Sequence, residues 1–125
     1  TLRCMRCTPH LTRRRVVLPH RLRASIVRCQ SHTRSVRDAS FSPDGARFAS
    51  VCDGGKLVLY STDTMTPVSV HARHTSRCFS LSWSHDSTMV VTAGLEDKAT
   101  VTDAATGAVL VTMSGQGCKS INCVR

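Results

Sequence analysis

Ser40-Phe41-Ser42-Pro43-Asp44-Gly45 and Ser82-Trp83-Ser84-His85-Asp86-Ser87 are two versions of one phrase, 42 positions apart. The same step lays His32 on His74 and Ser50 on Thr92 without a gap, so the stretch from His32 to Thr112 is an internal repeat. A third copy opens where the step carries His74 to Gln116 and Cys78-Phe79-Ser80-Leu81 to Ser120-Ile121-Asn122-Cys123.

Inside each copy, strand and turn chemistry alternate. Pro43 presets the backbone for the second position of a turn, Asp44 can bond locally, and Gly45 tolerates positive φ. That turn joins a first strand carrying Val36, Ala39 and Phe41 to a second, apolar run from Arg47 to Cys52. Asp53-Gly54-Gly55 turns the chain again, and Lys56-Leu57-Val58-Leu59-Tyr60 alternates with period two, as a third strand should. After the polar Ser61 to Met65, Pro67-Val68-Ser69-Val70 makes a fourth strand, and its proline places it on an outer edge, where a missing N–H costs little. The second copy repeats this order: Cys78 to Trp83, Thr88 to Ala93, Ala99 to Thr102 and Ala108 to Thr112, with turns between. Four short strands in a period of roughly 40–45 residues are what one propeller blade requires. The expected fold is therefore all-β: two four-stranded antiparallel blades at 31–73 and 74–114, with the start of a third at 115–125, an incomplete β-propeller. Phe41, Phe48, Tyr60, Leu81 and Trp83 are its expected core, Trp83 standing in the second copy where Phe41 stands in the first.

Charge divides the chain. Residues 1–30 carry eight arginines and no acid, whereas residues 31–125 carry nine Lys and Arg against eight Asp and Glu; the net +9 belongs to the leader. The leader is expected to be an irregular, poorly ordered basic arm, able to add weak, salt-sensitive affinity for phosphate. No apolar run approaches the roughly 18 residues of a membrane span, so the chain reads as soluble, without a membrane partner. Seven cysteines without a secretory leader read as free thiols. Cys4 and Cys7 form a close pair, with His10, His20 and Cys29 downstream, but the second close pair that a zinc site favours is missing. No metal or cofactor is expected. The chain starts at Thr1 and ends in an unfinished repeat, which reads as a segment of a longer propeller or a protomer completed by another chain. Repeat arrays generally need about three units, so two blades are not expected to be stable alone.

Catalytic motifs are missing: there is no nucleophile elbow, phosphate-binding loop or zinc-protease helix motif. His32 and His74 recur at the repeat period, and so do Asp44 and Asp86, which marks them as structural. The chain is read as a binding protein and not an enzyme.

These residues resemble the WD-repeat family of β-propellers. The resemblance implies a blade-locking network in which a histidine before the first strand, a small hydroxyl residue in the second, an aspartate in the next turn and a tryptophan-aspartate pair hold each blade. His32 with Ser50, and His74 with Thr92, fit the first two places. Tyr60-Ser61 and Thr102-Asp103 stand where tryptophan-aspartate is expected, and Gly54 holds the aspartate's place in the first blade. The family's fold also implies that the turns entering first strands and those linking second to third strands share one face. That makes Arg34, Asp53, Arg77, Glu96, Asp97 and Lys98 the candidate partner-facing residues, with mixed charge suited to a protein partner.

Within the family, His32 to Val36, Phe41 to Ser50, Lys56 to Tyr60 and Leu81 to Thr88 resemble the actin-interacting members that assist cofilin in taking filaments apart. This implies actin and cofilin as partners and a cytoplasmic, cytoskeletal location. Ser35 to Asp38 and Ala93 to Lys98 also resemble splicing members, and that alternative implies the nucleus. The nearly neutral repeat argues against nucleic acid as a partner, except weakly through the arm.

Overall fold

The computed structural model describes residues 31–115, together with the backbone of two short strands, β1 (Arg14–Val16) and β2 (Ser25–Val27). One antiparallel sheet runs in chain order through β3 (Val36–Phe41), β4 (Arg47–Cys52), β5 (Lys56–Ser61) and β6 (Pro67–Ala72). A second runs through β7 (Cys78–Trp83), β8 (Met89–Gly94), β9 (Lys98–Asp103) and β10 (Val109–Ser114). The fold is all-β, two four-stranded antiparallel blades. Pro67 opens the outermost strand of its blade, paired with Tyr60.

Backbone conformation repeats more faithfully than sequence. Gly45, Gly55 and Met65 have φ of 73°, 73° and 53°; 42 positions later Ser87, Asp97 and Gly107 have 62°, 56° and 73°. At each pair one blade has glycine and the other does not. A left-handed residue costs about 1–2 kcal/mol unless it is glycine, so the turn's geometry and not its residue is what the fold requires. The hydrogen bonds that close these turns recur as well. Met65 N donates to Ser61 O and Gly107 N to Asp103 O, both at 2.8 Å; Ser42 N donates to Arg47 O and Ser84 N to Met89 O, both at 2.9 Å.

Of the leader, the structure describes β1 and β2. β1 and β2 pair antiparallel, Arg15 opposite Ile26, and they lie 42 positions before Lys56–Val58 and Pro67–Ser69, inside the third and fourth strands of the first blade. Arginine in place of alternating apolar residues hid this hairpin from a periodicity argument. The rest of the leader, including Cys4, Cys7, His10, His20 and Cys29, lies outside the described residues, as do residues 116–125 with Cys123, where the third copy was expected.

Strand alternation splits the core into two. Phe48, Val58 and Tyr60 point to one face of the first blade, with Ala39 and half-buried Phe41 packed on them. Phe48 sits 5.0 Å from Phe41 and 5.7 Å from Tyr60, rings tilted, the arrangement aromatic quadrupoles prefer. Ala49, Val51, Leu57 and Leu59 point to the other face and meet Cys78, Leu81, Val90 and Ala104 of the second blade, with half-buried Trp83 against them. Polar contacts pin the same interface. Asp38 accepts from Leu81 N at 3.0 Å and from the Ser80 hydroxyl at 3.4 Å, Trp83 Nε1 donates to Ser40 O at 3.2 Å, and Arg47 donates to Ala104 O.

Two glycines should separate conformational strain from steric demand. A Cβ on Gly45 would meet nothing within 4 Å, whereas one on Gly55 would fall 2.0 Å from His74 O. Gly45→Ala is expected to cost about 1 kcal/mol in urea unfolding of the protein, and Gly55→Ala about 3 kcal/mol or more, because backbone of the next blade must move. Equal costs would contradict the close approach.

Candidate functional site

Each blade begins with a histidine held against a hydroxyl on its second strand. His32 Nε2 lies 2.6 Å from Ser50 Oγ, and His74 Nε2 lies 3.0 Å from Thr92 Oγ1. Thr92 also donates to Thr100 O at 3.5 Å, tying the pair to the third strand. Burial holds both imidazoles below their ordinary range, because the charged form would lose its hydration. His32 falls to about 4, with Lys56 adding to the effect. For His74, burial outweighs the opposing pull of Glu96 and Thr92.

The two locks differ on the far side of the ring. Glu96 accepts from Thr75 N, from the Thr75 hydroxyl at 2.9 Å and from Ser76 N at 3.2 Å, and its Oε1 stands 3.6 Å from His74 Nδ1. That last distance is an electrostatic contact and not a hydrogen bond. Burial alone would raise the Glu96 carboxyl, but the hydrogen bonds from Thr75 and Ser76 outweigh it and leave it below the usual range. The residue 42 positions earlier is Gly54, so the first blade has no carboxylate here; neither His32 Nδ1 nor His74 Nδ1 has a hydrogen-bond partner among the described residues, and only the second has an anion close by.

Beside the first lock, Asp53 gathers arginines. Arg37 grips it with both arms of the guanidinium, Nε to Oδ1 at 2.5 Å and Nη2 to Oδ2 at 2.8 Å, and Arg77 Nε stands 3.9 Å from Oδ1. The hydrogen bond from Arg37 holds the Asp53 carboxyl below its usual range, with Arg77 and Arg34 adding to it. The stem of Arg34 runs over Gly54, its Cδ 3.5 Å from where a Cβ would sit.

The six residues named for a partner face thus divide. Arg34, Arg77 and Lys98 are exposed, while Asp53 is spent on Arg37 and Glu96 on the turn before β7. Asp97 occupies a left-handed turn and its backbone carbonyl accepts from Gly115 N. Sequence reasoning missed Arg37 and Asp38, which sit on β3 where a register shift between Val36 and Asp38 redirects side chains. It also missed Glu96 as the counterpart of Gly54, although the 42-residue step pairs them. Among the described residues no group of three or more His, Cys, Asp or Glu is placed to hold a metal.

Supplying the missing carboxylate should strengthen the first blade. Gly54→Glu has ordinary van der Waals room and would face Thr33 as Glu96 faces Thr75. It is expected to add about 1 kcal/mol in urea unfolding, and Glu96→Ala to remove about 1–3 kcal/mol. Both imidazoles resist protonation when folded, so between the ordinary histidine value and about 4 the unfolded chain binds more protons. Stability should therefore fall as pH drops from 6.5 to about 4, and His32→Gln should flatten that fall; an unchanged pH profile would contradict the buried lock.

Known proteins share this fold. The WD40 family (WD domain, G-beta repeat) matches residues 23–61 and 65–101. WD repeat-containing protein 1 of Gallus gallus is 31% identical over 86 residues, which is 66% of this chain and 14% of that protein. The serine-threonine kinase receptor-associated protein of Homo sapiens is 31% identical over 96 residues, 74% of this chain and 27% of that one. The chain therefore spans only a minor part of these relatives' lengths. Among solved structures, U3-55K superposes with a TM-score of 0.67 at 17% identity, covering 71% of this chain and 29% of that one. RRP9 WD40 repeats give 0.66 at 16%, covering 71% and 28%. These two likenesses, both under 20% identity, show the shared fold, and with them the expectation that nucleic acid is an unlikely partner is withdrawn. Near-neutral net charge over a repeat says nothing about how that charge is placed, and here arginines gather on one rim. With both blade-length copies matched over more than half of its residues, the chain belongs to the WD40 repeat family.

Proposed function

We propose that this non-catalytic WD-repeat scaffold serves in an RNA-processing assembly in the nucleus, holding other macromolecules on its propeller rim. The observation that carries the reading is the likeness of the two blades to U3-55K and RRP9. The arginine-rich surround of Asp53 supports it, because guanidinium forks suit phosphate. The actin and cofilin reading rests on wording shared with WD repeat-containing protein 1, and at this site nothing favours it over the RNA-linked one.

Two measurements on the intact protein separate the readings. Purified protein is expected not to co-sediment with cofilin-decorated actin filaments. The tagged protein is expected to recover RNA-processing proteins from nuclear extract in an RNase-sensitive manner. Specific co-sedimentation, lost on reversing the charge of Arg34, together with RNase-insensitive recovery, would overturn the proposal.

A further inference from the structure

Around Asp53 the carboxylate is turned inward and the neighbouring arginines outward. The Asp53 side chain is 16% exposed, whereas Arg37 is 42% and Arg77 57% exposed, and Arg34 is exposed beside them. Asp53 takes two of the five N–H donors of Arg37 and fixes the plane of its guanidinium; three donors remain for a ligand. Gly54 adds no side chain, so the aliphatic stem of Arg34 lies across the turn and brings a second guanidinium to the same rim. Arg77 enters from the turn before β7, so both blades contribute.

We propose that Arg34, Arg37 and Arg77 form a seat for the phosphate backbone of RNA. The proposal rests on the RNA-linked reading above and names the surface that would carry it. Guanidinium forks match phosphate oxygens, and one already oriented by a carboxylate loses less rotamer freedom on binding. Phe48 and Tyr60 are buried, Phe41 and Trp83 are packed against the two cores, and Phe79, two residues after Arg77, is half-buried, so the exposed groups of the seat are guanidiniums, and contact through them falls on the backbone without sequence preference. An acidic peptide would want an apolar anchor in a pocket. Leu95, 43% exposed and joined to Arg77 through its backbone N–H, is the exposed large hydrophobic beside the rim among the described residues; the others lie on the outer strands β6 and β10.

The test is fluorescence anisotropy of the intact protein with a labelled oligouridine of about 20 nucleotides across a salt series, with polyglutamate of similar length as competitor. The variants are Arg34→Ala/Arg77→Ala, Leu95→Ser and Arg13→Ala/Arg14→Ala/Arg15→Ala, each checked by circular dichroism. The double arginine variant is expected to weaken binding about tenfold near physiological salt and to lower the salt slope by about 0.7 for each phosphate that is no longer neutralised. Leu95→Ser is expected to bind RNA like the parent. If the double variant binds unchanged and the leader variant does not bind, the seat is overturned while the RNA-linked reading stands. If polyglutamate binds through Arg34, Arg77 and Leu95 and oligouridine does not bind, the rim serves an acidic protein and the proposal fails. Absence of any RNA binding also overturns the seat, and the RNase-sensitive recovery then decides separately on the assembly.

Discussion

A four-stranded sheet has two faces, and the apolar side chains on both of them must be covered by something other than the sheet itself. In this chain Ala49, Val51, Leu57 and Leu59 leave one face of the first blade and are covered by Cys78, Leu81, Val90 and Trp83 of the second. Everything else follows from that contact. Alternation along β4 and β5 sends Phe48, Val58 and Tyr60 to the opposite face, and the same alternation 42 positions later sends Val90, Thr100 and Thr102 toward the first blade. The repeat is thus a repeat of directions: Phe48, Val58 and Tyr60 leave the first blade by the same face by which Val90, Thr100 and Thr102 leave the second.

Within that frame the copies differ in ways that fit their different neighbours. Trp83 fills the interface where the smaller Val90 and Thr102 leave room, while the first blade has the smaller Phe41 against the larger Phe48 and Tyr60. Thr102, in the place where the family carries tryptophan, accepts from Arg73 Nε at 3.1 Å, and Arg73 also donates to Gly107 O. A departure from the family pattern is therefore used to hold the exit of one blade against the outer turn of the next. The two histidines differ in the same spirit: Glu96 stands 3.6 Å from the ring of His74, whereas Gly54 leaves the ring of His32 without a carboxylate beside the arginine rim.

Most of the fold was legible because turn chemistry and a fixed period are local signals. Ser42-Pro43-Asp44-Gly45 marks a hairpin by itself, and the spacing of 18 residues between histidine and hydroxyl is the same in both copies. What stayed hidden depends on contacts between distant residues. Asp38 looked like one more strand residue until the shift at Val36/Asp38 aimed it at Leu81 N. Glu96 looked like a rim charge because its partners, Thr75 and Ser76, lie on a different turn, and Arg37 carried no signal that it would meet Asp53. The arginine-rich leader lacked the alternation that would have shown β1 and β2. The expectation against nucleic acid failed for a related reason: summed charge hides the segregation of Asp53 inward and of Arg34, Arg37 and Arg77 outward.

The histidine–hydroxyl pairs and the arginine rim both stand on the packing of one blade against the other, so energetic coupling across that contact is the decisive quantity. A double-mutant cycle of Leu57→Ala in β5 with Leu81→Ala in β7, followed by urea unfolding of the intact protein, measures it. The packing described here predicts a coupling of about 0.5–3 kcal/mol between the two substitutions. Strict additivity, with each leucine losing its full cost whether or not the other is present, would contradict it.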